Sequence, residues 1–169
     1  LLAVGITPLL GNYVDHKGKA ASMLMIGSML LVLCHLTFAF VLPEFRDNAV
    51  GGVVIAYLTI LVLGASFSLV PASLWPSVPK MVDAKIIGSA YALIFWVQNW
   101  GLMLVPLLIG WVLNSFCKGP VVDGIQTYDY TLPMSIFAVF GVLALIVALM
   151  LKAEDKKKGY GLQEANIKK

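Results

Sequence analysis

The chain has 169 residues, of which 60% are hydrophobic and 12% charged, with 12 Lys and Arg against 9 Asp and Glu. Soluble domains carry about 25% charged residues, so this composition excludes a globular domain bathed in water, and the mean hydropathy of +0.90 points to lipid as the main solvent. The formal charge of +3 is not gathered among aromatics on a polar face, which argues against a nucleic-acid partner, and two cysteines, Cys34 and Cys117, are too few for a disulfide framework.

Charge-free runs organise the chain. The first, residues 1–14, is too short to span a bilayer. It starts inside an apolar run without an initiating Met or a basic leader, and residues 1–10 read as the end of a helix that begins upstream. Longer runs follow at residues 20–43, 48–79, 86–117 and 130–151. A hydrocarbon core of about 30 Å needs roughly 20 apolar residues as a helix. Every backbone polar group in lipid must be satisfied internally, and these runs lack the period-two alternation of barrel strands, so helices are predicted. The expected spans are Ala21–Leu42, Ala49–Trp75, Gly88–Leu113 and Leu132–Leu151. Residues 152–169 show no apolar period and are expected to form a basic tail, disordered or lying on headgroups, that acts as a stop-transfer anchor.

The basic residues orient the spans. The 11–19 loop holds Lys17 and Lys19, the 80–87 loop holds Lys80 and Lys85, and the tail holds six lysines, whereas the intervening loops hold only Arg46 and Lys118. Ten against two, alternating from loop to loop, puts the 11–19 loop, the 80–87 loop and the C terminus in the cytoplasm.

Polar side chains are spread unevenly. The span from Leu132 carries only Ser135, at its outer end, and can meet lipid almost all round. The span from Ala49 ends in Gly64–Pro76, rich in Ser, Pro and Trp. Pro71 has no N–H to give the Phe67 carbonyl, so a bend is expected there. Either Ser66, Ser68 and Ser73 bond back to their own helix around a packing kink, or the bend is a hinge beside a hydrated cavity. In the next span, Tyr91, Phe95, Gln98 and Asn99 fall within about 100° of helical arc. An unpartnered amide at that depth costs several kcal/mol. The stripe therefore bonds to another helix or lines a solute path, with Trp75 and the serines of the preceding span nearby. His35, with no carboxylate at membrane depth, reads as a neutral side chain bonded to an adjacent helix.

The first cytoplasmic loop reads Gly11-Asn-Tyr-Val-Asp15-His-Lys-Gly18-Lys19. This resembles the G-x-x-x-D-(R/K)-x-G-(R/K) loop between the second and third helices of each half of the major facilitator superfamily. Gly11, Asp15, Gly18 and Lys19 match, and His16 stands where that pattern has a basic residue. Counted from this loop, the spans correspond to part of the eighth helix and the ninth to twelfth helices of a twelve-helix fold. The resemblance implies that the eighth, tenth and eleventh helices border a central cavity while the ninth and twelfth face lipid. It also implies that Asp15 docks against the opposite half, and that the turn at Gly88 receives the equivalent Asp of that half. A narrower likeness covers Leu63–Pro76 and Gly88–Gly101, which follow the L-G-x-S-(Y/F)-S-L, L-W-P, G-(T/S)-A-Y and Q-N-x-G pattern of a peptide-carrying branch of the superfamily.

The expected protein is thus an all-α, polytopic membrane bundle, the C-terminal part of a twelve-helix secondary transporter that moves a small polar solute by alternating access. A dipeptide or related zwitterion comes first as substrate. Trp75, Tyr91, Phe95, Gln98, Asn99 and Ser68 are the expected substrate-lining residues, and Gly11, Asp15, Gly18, Lys19, Pro71 and Gly88 the gating or structural ones. The expected partners are lipid, the solute and an N-terminal half of the same polypeptide, with no cofactor, metal or nucleic acid. The other readings are a membrane assembly subunit without a transport path, and an intramembrane enzyme, for which the chain lacks paired carboxylates, a His-rich metal set or a nucleophile with its base. A cell (inner) membrane is favoured over a lysosomal one, because the chain has no long outer loop and no Asn-x-Ser/Thr acceptor.

Overall fold

In a computed structural model the described residues are 2–45 and 47–167, without the side chains of residues 2 and 3. Helix α1 covers Leu2–Lys17 and α2 covers Ala20–Leu36, prolonged by a π-helical turn at Thr37–Val41 and a 3₁₀ turn at Leu42–Phe45. Then come α3 (Ala49–Met81), α4 (Ile87–Phe116), the strands β1 (Lys118–Val122) and β2 (Ile125–Tyr128), and α5 (Thr131–Lys158). Four segments, Ala20–Phe45, Ala49–Met81, Ala84–Phe116 and Thr131–Lys158, are long and apolar enough to cross a membrane. The bundle is all-helical within the lipid-length segments, as expected.

Helix α2 is central and packs against both α3 and α5. Lipid tails are as apolar as Leu, so burying Leu between helices gains little, and close approach through small residues gains more. The α2 interface is built that way. A Cβ on Gly27 would lie 3.1 Å from Leu69 Cβ and 3.3 Å from the Ser66 carbonyl, and one on Gly141 of α5 would lie 2.8 Å from Val32 Cγ2. Ala21, Ser28, Ser66, Ala72, Ser73 and Ala138 are buried in the same layers. Asn48 starts α3 by accepting the Gly51 N–H on its Oδ1 at 3.0 Å, which satisfies one orphan donor of the first turn.

Helix α3 extends six residues beyond Trp75, the expected end of that span, through Pro71, Pro76 and Pro79. The serines bond back to their own helix: Ser66 Oγ donates to the Val62 carbonyl at 2.7 Å, Ser68 Oγ to Gly64 at 2.9 Å and Ser77 Oγ to Ser73 at 2.7 Å. Ser73 differs, its buried hydroxyl having no partner among the described residues. Because each bonded hydroxyl shares a carbonyl within its own helix, Ser66→Ala should cost less than about 1 kcal/mol. Thermal unfolding of the purified protein checks this, and a loss of several kcal/mol would mean that the hydroxyl bridges helices. His35 also stays on its own helix, Nδ1 lying 2.7 Å from the Leu31 carbonyl, with its ring 5.3 Å from that of Phe137 on α5. The expected bond from His35 to an adjacent helix is therefore replaced by an intrahelical bond and a ring contact.

Two features were not expected. Strands β1 and β2 form an antiparallel hairpin, with Val122 paired to Ile125 across Asp123 (φ 50°) and Gly124 (φ 77°). Two left-handed residues match the twist of a two-residue hairpin, and Asp-Gly adopts that turn readily. The other feature is the described part of the tail, residues 152–167, which is folded against the bundle. Helix α5 continues to Lys158 and stops at Gly159 (φ 69°), whose N–H donates to the Asp155 carbonyl at 2.8 Å. Residues 160–167 then turn back across the ends of α1, α2 and α3, with Leu162 fully buried.

Candidate functional site

The α3–α4 pair carries the aromatic and amide residues picked out in the sequence. Trp75 of α3 stacks on Phe95 of α4 with ring centroids 5.0 Å apart and planes at 28°, and it lies 5.8 Å from the Tyr91 ring. Proline fixes this arrangement. Pro79 stands four residues after Trp75 and has no N–H, so the Trp75 carbonyl lacks its helical donor. Tyr91 replaces it, its Oη donating to the Trp75 carbonyl at 3.1 Å. One hydroxyl thus repairs the ladder of α3 and ties α4 to it, satisfying a carbonyl that would cost several kcal/mol if left unpaired away from water.

Beyond this junction the described residues leave most of α4 uncovered, although Val112 is buried. None of the residues in its most apolar stretch is buried by the chain. Phe95 is 49% exposed, and Gln98 is exposed with no hydrogen bond from its amide among the described residues. Asn99 donates to the Phe95 carbonyl at 2.7 Å and, with Trp96, Trp100 and Met103, lines a shallow notch of about 190 Å³. The structure therefore gathers Trp75, Tyr91 and Phe95 into one cluster and sets Gln98 and Asn99 about one turn beyond Phe95 on the same helix. Ser68 is not part of this cluster. It is fully buried and bonded to Gly64. Pro71 is half-buried in an unbroken α3. A larger open groove of about 520 Å³ lies between α4 and Phe140 of α5, with Leu104, Leu107, Leu108 and Trp111 on its wall, and offers apolar surface alone.

The residues of the 11–19 turn occupy a second region. Gly11 is half-buried on α1 and Gly88 is exposed, each with open space where a Cβ would go. Gly18 and Lys19 are both left-handed, at φ 73° and 65°. A Cβ on Gly18 would run into the Gln163 carbonyl oxygen and lie 2.5 Å from the Glu164 carbonyl carbon. Asp15 accepts the Asn166 and Ile167 N–H groups on its carbonyl at 2.9 and 3.0 Å, and Asn166 Nδ2 on its Oδ1 at 2.7 Å. Within this chain the partner of Asp15 is the tail, a contact the sequence reading did not find.

Among the described residues no group of His, Cys, Asp and Glu is placed to hold a metal ion. No family model and no solved structure matches the chain. It is 27% identical over 115 residues to the lysosomal dipeptide transporter MFSD1 of Mus musculus, 27% over 114 residues to that of Danio rerio and 25% over 115 residues to that of Homo sapiens. Each match takes in 68% of the chain, which spans about a fifth of the length of these relatives (22% in each). The chain is thus similar to MFSD1 proteins over two thirds of its length, and its four membrane-length helices form a polytopic helical bundle.

Proposed function

We propose that the chain supplies the α3–α4 wall of a solute path in a secondary transporter that works by alternating access, and that the solute is a dipeptide or a related zwitterion. The exposed Gln98 amide, one turn from the Trp75–Phe95 stack at membrane depth, carries this reading. An amide there is costly against acyl tails and useful against a wet passage. The spans contain no Asp, Glu, Lys or Arg at their centres, so this wall binds through amide dipoles and aromatic faces. Compensation of the solute's two charges, and any ion coupling, falls to polypeptide that completes the cavity. The similarity to dipeptide transporters supports this substrate class, and the distribution of basic residues among the loops supports the cytoplasmic side.

Uptake into proteoliposomes tests the proposal on the full-length protein. One neutral hydrogen bond contributes about 0.5–1.5 kcal/mol, so Gln98→Ala should weaken solute affinity up to about tenfold. Trp75→Ala, which removes the stacked ring while leaving the carbonyl that Tyr91 uses, should do at least as much. Normal uptake by both variants at normal amounts of folded protein would remove this face from the path.

A further inference from the structure

The tail carries a conformational consequence that rests in part on the transporter reading. Its residues bind four elements at one end of the bundle. Gln163 and Leu162 carbonyls accept the Lys19 and Ala20 N–H groups at 3.2 and 3.0 Å, which caps the first turn of α2 with backbone from the far end of the chain. Ser22 Oγ donates to Gln163 Oε1 at 3.1 Å. On α1, Asp15 takes Asn166 as described above. On α3, the Lys80 ammonium donates to the Gly161 and Glu164 carbonyls, each at 2.9 Å. On α5, the buried Asp155 accepts the Leu162 N–H on Oδ1 at 2.9 Å and so fixes the reversal after Gly159. Leu162, fully buried, is the apolar peg of the assembly.

Helix α4 receives none of these bonds among the described residues. Immediately beyond Lys80 the chain becomes extended at Val82 (φ −126°, ψ 154°), passes a short turn at Ala84–Ile86 and only then enters α4. The bonded set therefore stops one residue before the last turn of α3 gives way to a non-helical joint. Helices that must move independently need such a joint, with few buried contacts on the moving side.

We propose that residues 159–167 are a permanent clasp that locks the cytoplasmic ends of α1, α2, α3 and α5 into one rigid body, and that α4 is the rod that shifts against this body, about the Val82–Ile86 joint, during the transport cycle. The clasp stays closed in every state. Its bonds are mostly backbone to backbone or side chain to backbone, and sliding of α2 against α5 would have to break them.

Hydrogen exchange on the full-length protein tests the clasp without any solute. In Leu162→Asp, which forces a charge into the peg's pocket, and in Lys80→Met, which keeps the stem and removes the three donors, exchange of the Lys19 and Ala20 amides should accelerate at least tenfold. Unchanged exchange in both variants would overturn the clasp. The second arm joins Ser22→Cys to Gln163→Cys with a short bifunctional thiol reagent. Uptake by the linked protein should stay within twofold of the unlinked form, whereas arrest by the link would show that the tail must open and would overturn permanence. Absence of dipeptide uptake by the unaltered protein would refute the transporter reading and the assigned role of α4, while the exchange result would still decide the clasp.

Discussion

Gly18→Val should lower the stability of the folded protein by about 2 kcal/mol or more. Two independent terms add at this position. A residue with a Cβ held at φ 73° in the left-handed region costs roughly 1–2 kcal/mol, and a β-branched side chain sits at the upper end. The Cβ also meets the Gln163 and Glu164 backbone, so the tail must leave the turn and surrender its bonds to Lys19 and Ala20. Gly18→Asn separates the terms, because Asn adopts left-handed backbone readily but still carries a Cβ. Thermal unfolding in detergent should rank Gly18 above Asn and Asn above Val. At about 2–4 °C per kcal/mol for a unit of this size, the Val variant should melt some 4–8 °C lower. An Asn variant as stable as the unaltered protein would mean that the tail does not press on Gly18.

That experiment touches the part of the fold that the sequence exposed least. The membrane segments were legible, since a charge-free run of sufficient length has few alternatives in lipid. The uneven spread of polar side chains also singled out the α3–α4 pair, whereas the packing of α2 between α3 and α5 left no such mark. The tail was not legible, because a segment held by backbone carbonyls and amides leaves no apolar period. Its one side-chain signal is Leu162, a lone apolar residue among Gly, Gln and Glu. The hairpin left a trace in Asp123-Gly124, but flanking strands of five and four residues are too short for periodicity to register.

At the candidate site the sequence reading named Trp75, Tyr91 and Phe95 without the bond that connects the two helices. The carbonyl orphaned by Pro71 drew attention, while the equivalent arithmetic for Pro79 leads straight to Trp75, whose carbonyl Tyr91 takes up. The expected span ended at Trp75, yet α3 absorbs Pro76 and Pro79 within its last two turns. Ser68 was assigned to the cavity from composition alone. The structure buries Ser66, Leu69, Ser73 and Ser77, spaced three to four residues apart, together with Ser68 beside them, so the serine-rich side of α3 turns away from the aromatic cluster. Composition announces that small polar residues are present, and only the neighbouring helix decides which of them it covers.

The largest expected loss comes from that covered side. Gly27→Leu should prevent α2 from seating on α3, because the site offers 3.1 Å to Leu69 Cβ and 3.3 Å to the Ser66 carbonyl where a branched side chain needs far more. Overpacking in a tight interior costs typically 1–3 kcal/mol and occasionally more, and here one obstacle is backbone, which cannot rotate away. Gly27→Ala is the informative intermediate. Removing a helix-interior glycine gains about 0.8–1 kcal/mol, while the added methyl asks Leu69 and Ser66 to yield by a few tenths of an ångström, so the net change should be close to zero. The identity of the obstacle can be read from a cycle: Leu69→Ala made in the Gly27→Leu background should recover part of the loss, although Leu69→Ala alone destabilises by opening a void. Denaturant unfolding of the four proteins measures the coupling. Additive effects, or a Gly27→Leu protein as stable as the unaltered one, would show that α2 and α3 do not meet through this glycine, and the seating of the whole serine face would have to be redrawn.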